Sequence, residues 1–94
     1  MVKHIVCYTF KNAGDKQKAQ DILLSMVGKV PQIIEISAKP DFLHSPRSYE
    51  LALEVTVADK QQLDAYQQNE YHCNVVKAFM HSVVDKAVSV DYEF

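Results

Sequence analysis

VKHIVCYTF, residues 2–10, is apolar on both of its parities. In an extended chain His4, Val6, Tyr8 and Phe10 point to one face, and Ile5, Cys7 and Thr9 to the other. A run of β-branched and aromatic residues without a polar side fits the middle of a sheet that is covered on both faces. That is a heavy demand on a chain of 94 residues, which makes one domain, spanning 1–94. A domain of this size buries only about two-thirds of the surface its unfolded chain exposes. With 48% of its residues hydrophobic and no long loop to absorb them, the chain has apolar surface to spare. The surplus points to self-association.

NAGD then breaks the strand, and Asp15 can cap a helix over residues 16–28. Ala19, Ile22, Leu23, Met26 and Val27 form its buried stripe, and Gly28 and Pro31 end it. QIIEISAKPDF (32–42) reads as a strand whose Pro40 confines it to an edge or a bulge, and LHSPRS is a loop. YELALEVTV (49–57) alternates Tyr49, Leu51, Leu53, Val55 and Val57 against Glu50, Ala52, Glu54 and Thr56. Asp59 opens a second helical region, Asn69 marks a break in it, and helix resumes to Val84. KAVSVDYEF (86–94) is a last strand, with Val88, Val90, Tyr92 and Phe94 on one face and Ala87, Ser89 and Asp91 on the other.

This order is that of the ferredoxin-like α+β unit, βαββαβ: a four-stranded antiparallel sheet with both helices on one face. The opposite face, with Val88, Val90, Tyr92, Phe94, Ile5 and Cys7, then needs a cover. Two such sheets packed face to face close into a homodimeric α/β barrel. Glu50 and Glu54 point to that covered side and call for bases such as Lys3, or for a wet rim. A net charge of −2 with interspersed signs leaves no nucleic-acid footprint. No apolar run approaches the ~18 residues of a membrane span, and no signal-peptide pattern opens the chain, so a cytoplasmic protein with no membrane partner is expected. Cys7 and Cys73 lack C-x-x-C spacing and read as small buried hydrophobes.

VKHIVCYTFK, GKVP, SPRSYELALEV, LDAYQQNEYH and KAVSVDYEF follow one another over nearly the whole chain. Together they resemble the Dabb family, the stress-responsive A/B barrel domains. The resemblance implies a homodimer closing an α/β barrel, but no single activity. The family includes plant stress proteins, members without a known reaction and a branch of polyketide cyclases that need no cofactor. In those cyclases a histidine and a tyrosine of the second helical region move protons in a pocket between sheet and helices. His72 and Tyr66 match these two positions, His4 matches a pocket histidine, and Asp91 matches an aspartate that holds the catalytic imidazole. Leu51 and Leu23 stand where the cyclases have a histidine and a tyrosine. The family's H-P-x-H stretch is here Asn69, Glu70, Tyr71 and His72.

The residue types carry a chemical argument of their own. His72 shares a helical stripe with Val75, Val76, Phe79, Met80 and Val83. An unperturbed imidazole titrates near ~6.5, which suits general acid–base work. Asp91, on the helix-facing parity beside the small Ala87 and Ser89, is the candidate to orient it. Tyr66 precedes His72 by six positions, about 240° around a straight helix, so the two converge only if the helix breaks near Asn69. If the site is catalytic, His72 is a base toward an acidic C–H or O–H beside a carbonyl, and Tyr66 donates to the developing oxyanion. The alternative is a core histidine bonded to a carboxylate for stability.

Tyr8, Leu23, Met26, Leu53, Val55, Phe79 and Val83 are the expected walls of one small ligand pocket per subunit, with His4, Tyr66, His72 and Asp91 as its polar groups. No metal is expected, since His81 falls opposite His72 on a straight helix, His44 lies in a loop and no Cys/His pair has ligand spacing. No cofactor is implied. Three further readings stay open: a stress-protective dimer, a small-ligand carrier or sensor, and, by fold analogy, a cofactor-independent monooxygenase.

Overall fold

The computed structural model describes residues 1–94. Along the chain run β1 (Val2–Phe10), a 3₁₀ turn (Ala13–Asp15), α1 (Lys16–Leu24), β2 (Glu35–Pro40), β3 (Leu51–Val57), α2 (Lys60–Gln68), a π-helical turn (His72–Lys77), α3 (Ala78–Val83) and β4 (Val84–Glu93). The strands form one antiparallel sheet in the order β2-β3-β1-β4. The strand that is apolar on both parities is therefore an inner one, and the helices lie on one face of the sheet. This is the ferredoxin-like fold. Pro40 ends β2 at the sheet edge, where its missing N–H costs least.

Leu51, Leu53, Val55 and Val57 point from β3 into the core, against Ala19 and Leu23 of α1 and Tyr66 of α2. Val76 and Met80, from the π turn and α3, complete that side. Helix α1 stops at Leu24, earlier than the spacing implies. The Ser25 hydroxyl donates back to the Ile22 carbonyl, and the chain turns through Gly28 at φ 79°. A left-handed conformation of this kind is one that glycine adopts without a Cβ penalty. Met26 is consequently buried, while Val27, placed on the buried stripe by its spacing, is 63% exposed.

On the other face Val88, Val90, Tyr92 and Phe94 remain open. The two glutamates divide: neither pairs with a base, and Glu54 is exposed, the wet alternative. Glu50 accepts the Phe10 N–H at 2.7 Å, so a backbone group and not a base satisfies it. Glu54 has no ion-pair partner, because the Lys3 ammonium lies over the Phe94 ring, 5.5 Å from its centroid. Both cysteines are free thiols, and Cys73 Sγ donates to the Gln67 carbonyl.

Candidate functional site

Helix α2 begins at Asp59, whose carboxylate accepts the Gln62 N–H at 2.8 Å. It ends at Gln68, and Asn69 turns out of helical conformation at φ −57°, ψ 135°. The Asn69 side-chain oxygen then accepts the His72 N–H at 3.1 Å and so caps the helix that restarts. The break is where the sequence places it. The next turn, His72–Lys77, is a π-helix, whose wider i→i+5 bonding no local sequence signal announces. Break and wide turn together set the Tyr66 and His72 rings against each other, with centroids 4.4 Å apart and planes at 33°. They also turn the apolar stripe: Val76, Met80 and Val83 are buried, whereas Val75 is exposed and Phe79 only half-buried.

A cavity of about 520 Å³ opens between these elements and the sheet. His4, Tyr8, Leu23, Leu53, Tyr66 and His72 line it, as expected. Met26, Val55 and Val83 do not; they are spent on the packed core behind it. Phe79 faces away, under the Lys18 ammonium at 5.3 Å. The sequence reading missed Val76 and Met80 as walls, and Gln67, Lys77, His81 and Asp85 as further polar lining. A straight helix would set His81 opposite His72, and the π turn brings both to one cavity. Ala87 and Ser89 also line it, and their small size beside Asp91 was the signal for room there.

Asp91 does not hold His72. It lies directly across from His4 in the β1–β4 register and binds His4 Nδ1. Residues opposed on antiparallel strands are immediate neighbours on the same face, so Asp91 is committed to His4. Asp91 is also no wall of the cavity. The His4 ring meets Tyr66 edge-on at 5.7 Å. A row therefore runs Asp91, His4, Tyr66, His72. At its inner end Tyr66 Oη and His72 Nδ1 are both buried without a hydrogen-bond partner.

Burial lowers the His72 pKa; the Gln67 carbonyl opposes this, and the charges of Lys77 and His4 reinforce it. Burial raises the Tyr66 phenol, with Tyr8 adding to the effect. The Tyr8 phenol is pushed up to about 12, first by burial and then by Cys7. Near neutral pH the site thus offers a neutral imidazole at His72 and two protonated phenols. A neutral imidazole can accept or donate a proton, and a phenol can donate a hydrogen bond to a developing oxyanion. No three His, Cys, Asp or Glu side chains converge as a metal-ligand set.

The sequence matches, over residues 2–94, the family model described as Stress responsive A/B Barrel Domain. The chain belongs to this family. A dimeric protein of unknown function with a ferredoxin-like fold from Bacteroides fragilis superposes with TM-score 0.81 at 19% identity, covering 99% of this chain and 95% of that one. A Dabb family protein with a ferredoxin-like fold from Mesorhizobium loti gives TM-score 0.79 at 18% identity, with the same coverage of 99% and 95%. An antibiotic biosynthesis monooxygenase gives 0.75 at 13% identity, covering 100% of this chain and 98% of that one. These likenesses establish the fold. Among curated protein sequences none matches this Dabb chain. No helix in it is long and apolar enough to cross a membrane.

Proposed function

We propose that this Dabb domain is a homodimer whose sheet-to-helix cavity binds a small, mostly apolar carbonyl- or phenol-bearing molecule and moves a proton on it without a cofactor. One observation carries the reading. The Tyr66 and His72 rings lie against each other on the wall of a 520 Å³ cavity, and Tyr66 Oη and His72 Nδ1 are buried there without a partner. Leaving a buried polar atom unpaired costs about 1–3 kcal/mol, and a ligand that pairs with both atoms recovers that cost. The cavity has the size and the mixture of apolar wall and few polar groups that small-molecule sites use.

Self-association is supported by the open face at Val88, Val90, Tyr92 and Phe94. Similarity to a monooxygenase extends to the fold and transfers no reaction. The test is a thermal-shift and NMR screen against aromatic and ketide-like acids. Binders should raise Tm and move His72 and Tyr66 resonances, and both responses should fall in Tyr66→Phe and His72→Gln. A screen in which no such acid perturbs either residue leaves a stress-protective, ligand-free dimer as the better reading.

A further inference from the structure

We propose that His4 is the proton acceptor of this site and that Asp91 is its positioning residue. The proposal rests on the ligand-site reading above and assigns the work within it. An ionised carboxylate only accepts hydrogen bonds, so the His4 nitrogen that meets Asp91, Nδ1, carries a proton. In the neutral ring this leaves the lone pair on Nε2. His4 is 7% exposed and lines the cavity, and its sole side-chain hydrogen bond is the one to Asp91. The tautomer a base needs is thereby fixed from behind.

His72 has no carboxylate behind it, only the Gln67 carbonyl. Its Nδ1 is unpartnered, and an imidazolium there would form in a buried wall near the Lys77 ammonium. The groups facing His4 are Asp91 from β4, Tyr66 from α2 and His72 from the π turn, with Tyr8 next along its own face of β1. Asp85 also lines the cavity but is bonded to neither ring, so Asp91 is the one carboxylate placed to offset a new positive charge on His4.

The step balances without a further reagent. A C–H beside a carbonyl gives its proton to His4 Nε2, and the C–H electron pair becomes the C=C of an enolate. The carbonyl π pair moves to oxygen, which accepts a hydrogen bond from Tyr66 Oη. The imidazolium stays beside Asp91 until it returns the proton. His72, remaining neutral, binds a second polar group of the ligand.

The test uses 4-nitrophenol, whose anion is coloured, as a probe acid for the full chain, together with ¹⁵N spectra of the imidazoles. The wild type should bind it as phenolate, with the transferred proton on His4 Nε2. Asp91→Asn should lower the ionised fraction of bound probe about tenfold or more, the scale of losing one adjacent opposite charge. His4→Gln should bind the neutral phenol. His72→Gln should bind more weakly, yet what it binds should still be phenolate.

Bound neutral phenol in the wild type, or phenolate that survives His4→Gln and disappears in His72→Gln, overturns the proposal while leaving the ligand site intact. Failure of any phenol to bind the wild type overturns the ligand site, and this proposal with it. If a variant does not fold, the wild-type ¹⁵N spectrum with bound probe decides: imidazolium at His4 supports the assignment, and imidazolium at His72 overturns it.

Discussion

On the helix side of the sheet, Leu51, Leu53, Val55 and Val57 are at most 1% exposed, whereas on the other side Val88, Val90 and Tyr92 leave 46–60% of their surface open. Both faces come from the same alternating strands, so the contrast lies in what covers them. The helix side gains its cover within the chain, from α1, α2 and α3. The outer side has no cover within the chain, yet it carries large apolar side chains on adjacent strands: Ile5 opposite Val90, and Cys7 opposite Val88. Single exposed hydrophobic residues are ordinary, but a contiguous patch marks an interface. One face thus serves the stability of the chain, and the other is suited to assembly. The first is also incomplete, because a cavity with orphaned polar atoms interrupts it.

The largest expected effect falls on the outer face. Val90→Lys puts a charge into the centre of the proposed dimer contact, once from each subunit. A buried valine is worth about 1.5–3 kcal/mol, so the symmetric pair costs the dimer about 3–6 kcal/mol. Sedimentation equilibrium should show the wild type as a dimer at micromolar concentration and the variant as a folded monomer. A wild type that stays monomeric would remove the division between the faces.

The matching change on the inner face should act on the chain itself. Leu51→Ala opens a void in the packed part of the core, away from the cavity lining, at a cost of about 2–5 kcal/mol. Denaturant melts of the Val90→Lys monomer with and without Leu51→Ala isolate this cost from assembly. If the loss appears only in the dimer, the inner face is not the source of chain stability.

A smaller effect, opposite in sign, belongs to the cavity. His72→Phe removes a buried nitrogen without a partner and keeps a ring against Tyr66, so the ligand-free protein should gain on the order of 1 kcal/mol at pH 8. The gain should widen in acid. With the folded pKa lowered, the unfolded chain takes up a proton at about 6.5, before the folded one does. Stability of the wild type therefore falls as pH drops below that value and levels off once folded His72 also titrates. Urea melts of the two proteins from pH 8 to pH 5 measure the difference. A difference that does not grow toward acid would mean that His72 is not held neutral by burial.

The sequence speaks unevenly about these regions, for physical reasons. Alternation has a period of two and is local, so the two faces of 49–57 and 86–94 can be read residue by residue. A cap is local as well, which is why the break at Asn69 is legible. Pairing between strands is not. That Asp91 meets His4 and not His72 depends on the register of β1 with β4, and these strands are joined through the whole chain between them. The π turn in HCNVVK is equally hidden, since nothing in its residue types separates it from α-helix. From that turn follow the shifts of Val75 and Phe79 out of the core and of His81 to the cavity. The fold and the Tyr66–His72 pairing were therefore readable, whereas the imidazole that the carboxylate serves, and the placing of Met26, Val55, Phe79 and Val83 away from the cavity, were not.

The smallest effect tests whether that local cap sets the geometry of the site. Asn69 gives two bonds to the restarted helix: its side-chain oxygen accepts the His72 N–H, and its carbonyl accepts the Cys73 N–H at 2.9 Å. Asn69→Ala deletes only the first, at about 1 kcal/mol. Asn69→Asp keeps an acceptor in place and should recover most of the loss. Because the deleted bond lands on His72 itself, the first consequence beyond stability should be a looser stack on Tyr66, read as faster amide exchange at His72 and a reduced ring-current shift of its imidazole protons. The outer face lies across the sheet from this turn, so the dimer constant should not move. Equal losses in the alanine and aspartate variants would show that the hydrogen bond is not what places His72, and a changed dimer constant would show that the two faces of the sheet are coupled.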